Sequence, residues 1–101
     1  MPLAAMTIEI RIEHARSLKD RRQVVQSLKE RLKNGFNVSA AEMDEAVTWQ
    51  SATLGVAAIS PSRDYLDGLM RQVEDAAVRI AAGLGAEATV SWDFVEAAPE
   101  T

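Results

Sequence analysis

The chain contains no cysteine and a single histidine, His14. Without cysteine there is no disulfide, no thiolate nucleophile and no thiolate-based zinc or iron–sulfur site. A lone histidine without HxxxH or HxE spacing is weak material for a metal centre, so no metal and no cofactor is expected, and His14 reads as a loop-surface residue. Long apolar runs are also missing. No uncharged stretch approaches the roughly 20 residues that span a bilayer. The opening "MPLAAMTIEI" has neither a basic start nor a long apolar segment, so it is not a signal peptide. Together these absences lead us to expect a cytoplasmic protein with no membrane contact.

What is present suffices for one core. A chain of 101 residues, 48% of them hydrophobic, is long enough for a single domain and too short for two. We expect one domain over 1–95, followed by a flexible tail, "EAAPET", at 96–101. In "MTIEIRI" the residues Met6, Ile8, Ile10 and Ile12 alternate with polar ones, the period of a half-buried strand. Ser17 and Asp20 then have capping-box spacing and open a helix from Leu18 to about Asn34. Leu18, Val25, Leu28 and Leu32 form its apolar stripe, and Gly35 is expected to end it with a positive φ. "FNVSAAEM" at 36–43 and "WQSATLGVAAIS" at 49–60 read as two strands on a short connection, and are therefore antiparallel. A second helix starts near Ser60, Pro61 and Ser62, buries Leu66, Leu69, Met70, Val73, Ala77 and Ile80, and ends at Gly83 and Gly85. "AEATVSWDFV" alternates as a last strand, with Ala88, Val90, Trp92 and Phe94 inward. The order β-α-β-β-α-β with right-handed crossovers predicts an α+β, ferredoxin-like sandwich, with two helices on one face of a four-stranded antiparallel sheet.

Charge is unevenly distributed. The chain carries 11 basic and 15 acidic residues, a net charge of −4, yet seven of the basic ones fall in "RSLKDRRQVVQSLKERLK" at 16–33. At ~100° per residue from Leu18, the apolar stripe centres near ~310°, while Arg22, Lys29, Lys33, Gln26 and Lys19 fall between ~20° and ~100°. That is a continuous cationic ridge on one flank of the helix, with Arg16 at its entry. Arg21, near ~300°, points along the core stripe, and its head is expected to reach past the sheet edge into water. A basic ridge of this kind suits a phosphate backbone. The plainer readings are a solvated helix face, or pairing with the second helix's acids, Asp64, Asp67, Glu74 and Asp75.

Other features carry less. Glu42, Asp44 and Glu45 cluster at the hairpin and read as solvated acids rather than a cation site. Trp49 is expected to cap the core at the sheet end rather than stack on a base. The sheet-face mode of RNA-recognition motifs needs aromatics on strands one and three. Strand one has none and strand three only Trp49, so that mode is disfavoured. "EHARS" at 13–17 has no glycine to cradle an anion, which sets aside the acylphosphatase reading of this fold.

Taken together, Ser17-Leu18-Lys19-Asp20, "SLKERL" at 27–32, "FNVS" at 36–39 and the "WQ-A-LG" pattern at 49–55 resemble the YlxP-like bacterial family, a domain of unknown function. The resemblance implies a ferredoxin-like fold and, from gene neighbourhoods among translation and ribosome-maturation genes, an RNA or ribosome connection. It implies no catalytic residue. "DEAVTW" at 44–49 departs from the more acidic version associated with the family. We therefore expect a non-enzymatic accessory protein that binds RNA or a ribonucleoprotein such as the ribosome. Arg16, Lys19, Arg22, Lys29 and Lys33 would face phosphates, with Arg21 at the edge. The alternative is a protein-interaction or homodimerisation module using the helix-free sheet face.

Overall fold

A computed structural model describes residues 1–95; the tail expected at 96–101 lies outside the described residues. The elements are β1 (Leu3–Arg11), α1 (Leu18–Gly35), β2 (Ser39–Glu42), β3 (Ser51–Ile59), α2 (Arg63–Gly83) and β4 (Glu87–Val95). The sheet order is β2-β3-β1-β4 and every pairing is antiparallel. Both helices lie on one face, giving the α+β ferredoxin-like arrangement that the element order demands.

The register fixes the two faces. Ala4, Met6, Ile8 and Ile10 of β1 sit opposite Ala58, Val56, Leu54 and Ala52 of β3, all of them buried under the helices. Helix α1 supplies Val24, Val25, Leu28 and Leu32 to this core, and α2 supplies Leu66, Met70, Val73 and Ala77. Inward residues of β4 are only half-buried. There Trp92 and Phe94 meet edge to face at 5.6 Å, and the Arg63 guanidinium lies 4.2 Å over the Phe94 ring.

Helix ends follow the capping chemistry. Ser17 Oγ accepts from the Asp20 amide at 3.1 Å, while Asp20 Oδ2 accepts from the Arg16 amide at 3.0 Å. Ser62, not Ser60, caps α2 and accepts from the Tyr65 amide at 3.1 Å. The end of α2 is a Schellman turn: Gly85 donates to the Ala82 carbonyl, Ala86 donates to the Ala81 carbonyl, and Gly85 takes φ 75°.

Four expectations need correction. Gly35 does not take a positive φ; α1 instead leaves through an extended Phe36 whose amide donates to the Leu32 carbonyl. Because Phe36–Val38 forms this helix exit, β2 is confined to four residues. Strand β3 begins at Ser51 rather than 49, since its ladder partner β1 ends at Arg11 opposite Ser51; beyond that pair the Ile12 amide donates one last bond to the Gln50 carbonyl at 2.8 Å. Leu18 is 49% exposed, while Val24 takes a place in the buried stripe.

Candidate functional site

The face of α1 that looks away from the core divides into two flanks. One meets α2. The other runs beside β2 and the connection at 43–50, where Leu18, Arg22, Val25 and Gln26 line a groove of about 240 Å³ together with Glu42 and Val47. The cationic ridge belongs to this second flank. Arg16, Lys19, Arg22 and Lys33 are exposed and Lys29 is half-buried.

This placement decides the question of internal pairing. Among the described residues, none of these five side chains forms an ion pair with an acid of α2. Asp67 of α2 is taken by Arg71 of its own helix at 2.8 Å, and this hydrogen bond, followed by the charge of Asp67, raises the Arg71 pKa. Attraction between oppositely charged helices therefore does not cover the ridge. The reason is angular: the ridge lies on the side of α1 turned from α2.

Arg21 behaves otherwise, and the expectation that its head reaches solvent is overturned. Its side chain is 5% exposed. Nη1 donates to Glu42 Oε1 at 2.6 Å, Nη2 to Asp44 Oδ2 at 2.8 Å, and Nε to the Ser51 carbonyl at 3.0 Å. Asp44 Oδ2 also accepts from the Thr53 amide at 2.9 Å. The alternation of β2 explains the meeting. Ala40 and Glu42 point to the helix side, opposite Val56 and Leu54, and Asp44 continues that period beyond the strand end. Glu42 and Asp44 are thus partners of a buried guanidinium, not free hairpin acids. Among the described residues no group of three His, Asp or Glu side chains is placed to hold a metal ion.

The remaining singled-out residues are peripheral. Trp49 is 54% exposed and does not cap the core. It stays in the connection before β3, one residue from Gln50, whose side-chain amide donates to the Glu13 carbonyl at 3.2 Å. His14 is exposed, and its ring lies beside Gly85, 3.5 Å from where a Cβ would stand. On the opposite side of the sheet, Ala5, Thr7, Ser39, Ala41, Met43, Thr53, Gly55 and Ala57 surround a shallow hollow of about 460 Å³.

The model of a protein family described as "Protein of unknown function (DUF503)" matches residues 3–87. The chain belongs to the DUF503 family. A relative described as uncharacterized protein YlxP, from Bacillus subtilis (strain 168), is 44% identical over 62 residues, which cover 61% of this chain and 67% of that protein. Solved structures share the fold at low identity. A C-terminal segment of the alpha subunit of aIF2 from Pyrococcus abyssi aligns with TM-score 0.55 and 12% identity, over 87% of this chain and 48% of that one. A tripeptidase from Staphylococcus aureus subsp. aureus Mu50 gives TM-score 0.63 at 12% identity, over 92% of this chain and 29% of that one. A de novo designed protein, Foldit4, gives 0.52 at 10% identity, over 95% and 99%. The DUF503 chain thus spans about half or less of the two natural proteins. Proteins of such different descriptions share only an architecture here.

Proposed function

We propose that this DUF503 protein is a non-enzymatic, cytoplasmic accessory protein that binds RNA or a ribonucleoprotein through the basic flank of α1. The observation that carries the reading is the row Arg16, Lys19, Arg22, Lys29 and Lys33. These are four cations on one flank of an 18-residue helix and a fifth, Arg16, at its entry, without an ion pair among the described residues. A chain of net charge −4 that concentrates its basic residues in this way has a local field opposite to its overall one. The field acts within about a Debye length, ~8 Å at physiological salt, so the acids elsewhere cancel it only in part. Lys as a point charge and Arg as a bidentate donor fit a phosphate backbone read without base specificity. Arg21 is not a member of this surface. Its role is to fix the β2 end against α1, which holds the groove beside the ridge in shape.

The test is co-sedimentation with ribosomal subunits at low and physiological salt. The wild type is compared with a folded Arg22→Glu, Lys29→Glu, Lys33→Glu variant. Wild-type binding that the variant loses is the expected result. Equal binding by both, or none by either, removes the basic flank from the function.

A further inference from the structure

The helix-free face of the sheet is independent of the basic flank and lies on the opposite side of the molecule. Its residues are fixed by the register. Leu3 stands beside Ile59 and Val95; Ala5 beside Ala57 and Asp93, with Ser39 next to Ala57; Thr7 beside Gly55 and Ser91, with Ala41 next to Gly55. Ile59 and Val95 are 56% and 44% exposed, so one end of the face is an uncovered apolar row. Its middle is small and mostly uncharged. Met43, itself 59% exposed, leans over Gly55, where a Cβ would stand 3.0 Å from Met43 Cγ.

We infer that this face is a homodimer interface, with a second copy packed sheet against sheet about a twofold axis parallel to the strands and centred between β1 and β3. Two observations select this occupant. The first is self-complementarity. The rotation exchanges β1 with β3 and β2 with β4 while keeping each cross-strand row level. Leu3 then lies over Ile59 of the second copy, Ala5 over Ala57, and Thr7 over Gly55 and the Met43 side chain beside it. Large groups meet large ones and small meet small. Three of the four charges of the face meet hydroxyls: Glu9 over Thr53, Arg11 over Ser51, Asp93 over Ser39; the fourth, Glu87, lies at the rim, in a row beyond the end of β2. The other in-plane axis, perpendicular to the strands, would set Arg11 on Leu3 and desolvate a guanidinium against an apolar side chain.

The second observation is area. Three nine-residue strands and one of four residues, at ~3.3 Å per residue and ~4.8 Å between strands, present ~500 Å² of flat face per copy. The pair therefore covers ~1,000 Å² before side-chain relief is added, the lower bound for a specific interface. Aligned sheet packing is an established way to bury such a face, and the small central side chains allow close approach. A dimer of this kind is reversible and concentration-dependent, and it leaves both basic flanks pointing outward.

Sedimentation equilibrium of the wild type, of Ala57→Glu and of Ala5→Lys tests the proposal, with Val78→Glu on the exposed side of α2 as control. Circular dichroism confirms that each variant is folded. The wild type and the control are expected to dimerise, and each sheet variant to be shifted at least tenfold toward monomer. An equimolar mixture of Ala57→Glu with Ala5→Lys should regain the dimer, because the carboxylate introduced in one copy then faces the ammonium introduced in the other. A wild type that stays monomeric at the highest attainable concentration overturns the proposal and leaves the face to another occupant. A dimer indifferent to both variants, or a mixture that stays monomeric, overturns it equally.

Discussion

Arg21 Nη1 lies 2.6 Å from Glu42 Oε1, joining the first turns of α1 to the last residue of an edge strand 21 positions away. An edge strand of four residues has few ladder hydrogen bonds to hold it. The guanidinium fork supplies what the short ladder lacks, since it engages Glu42, Asp44 and the Ser51 carbonyl together.

Arg21→Ala should therefore destabilise the fold by ~3–4 kcal/mol, in the lower part of the range for breaking a buried pair because Glu42 remains a third exposed. Arg21→Met should cost less, as its side chain keeps the apolar contacts of the arginine stem. Arg21→Lys should cost least of the three, because it keeps the stem and a positive charge beside Glu42 and Asp44, though a single ammonium cannot serve three acceptors in a fork geometry. Urea denaturation of the three variants checks the order. A double-mutant cycle of Arg21→Met with Asp44→Asn should give a coupling of ~0.5–3 kcal/mol.

Capping gives a second prediction. Ser17→Ala removes the acceptor for the Asp20 amide, and Ser62→Ala the acceptor for the Tyr65 amide. Each should cost ~1 kcal/mol, read as a lower urea midpoint with an unchanged m value. Ser60→Ala should cost less, since Ser60 does not cap the helix.

Gly85→Ala forces a Cβ into the left-handed region at φ 75° and should cost ~1–2 kcal/mol. By contrast Gly83→Ala, where nothing lies within 4 Å of the added Cβ, should be neutral or slightly stabilising. Thermal melts of the two variants separate a conformational requirement from simple loss of space.

The fold is legible in the sequence because its signals are periodic. Ile8, Ile10 and Ile12 alternate, and Val25, Leu28 and Leu32 recur at helical spacing, so local pattern and burial agree. The ridge is legible for the same reason, because angular position on a helix follows from sequence alone. What escapes is long-range. Arg21 at the centre of the core stripe is one half of a signal, and the period-two continuation Ala40, Glu42, Asp44 is the other. Each half is visible, but only the sheet order brings the β2 end beside the start of α1. Trp49 is misplaced by local reading for a related reason: the start of β3 is set by where its partner β1 ends, at Arg11 opposite Ser51, and no local pattern carries that pairing. Leu18 shows the limit of periodicity, since a first-turn residue can follow the stripe and still project beyond the sheet.

The central claim is that the α1 flank binds RNA phosphates, and the salt dependence of affinity for ribosomal RNA tests it most directly. Five phosphate contacts predict that log K falls with log salt at a slope of ~−3.5 to −4.5. The Arg22→Glu, Lys29→Glu, Lys33→Glu variant should bind more weakly, with a slope shallower by ~2–3. Wild-type binding that does not change with salt, or a variant with the wild-type slope, would contradict the account.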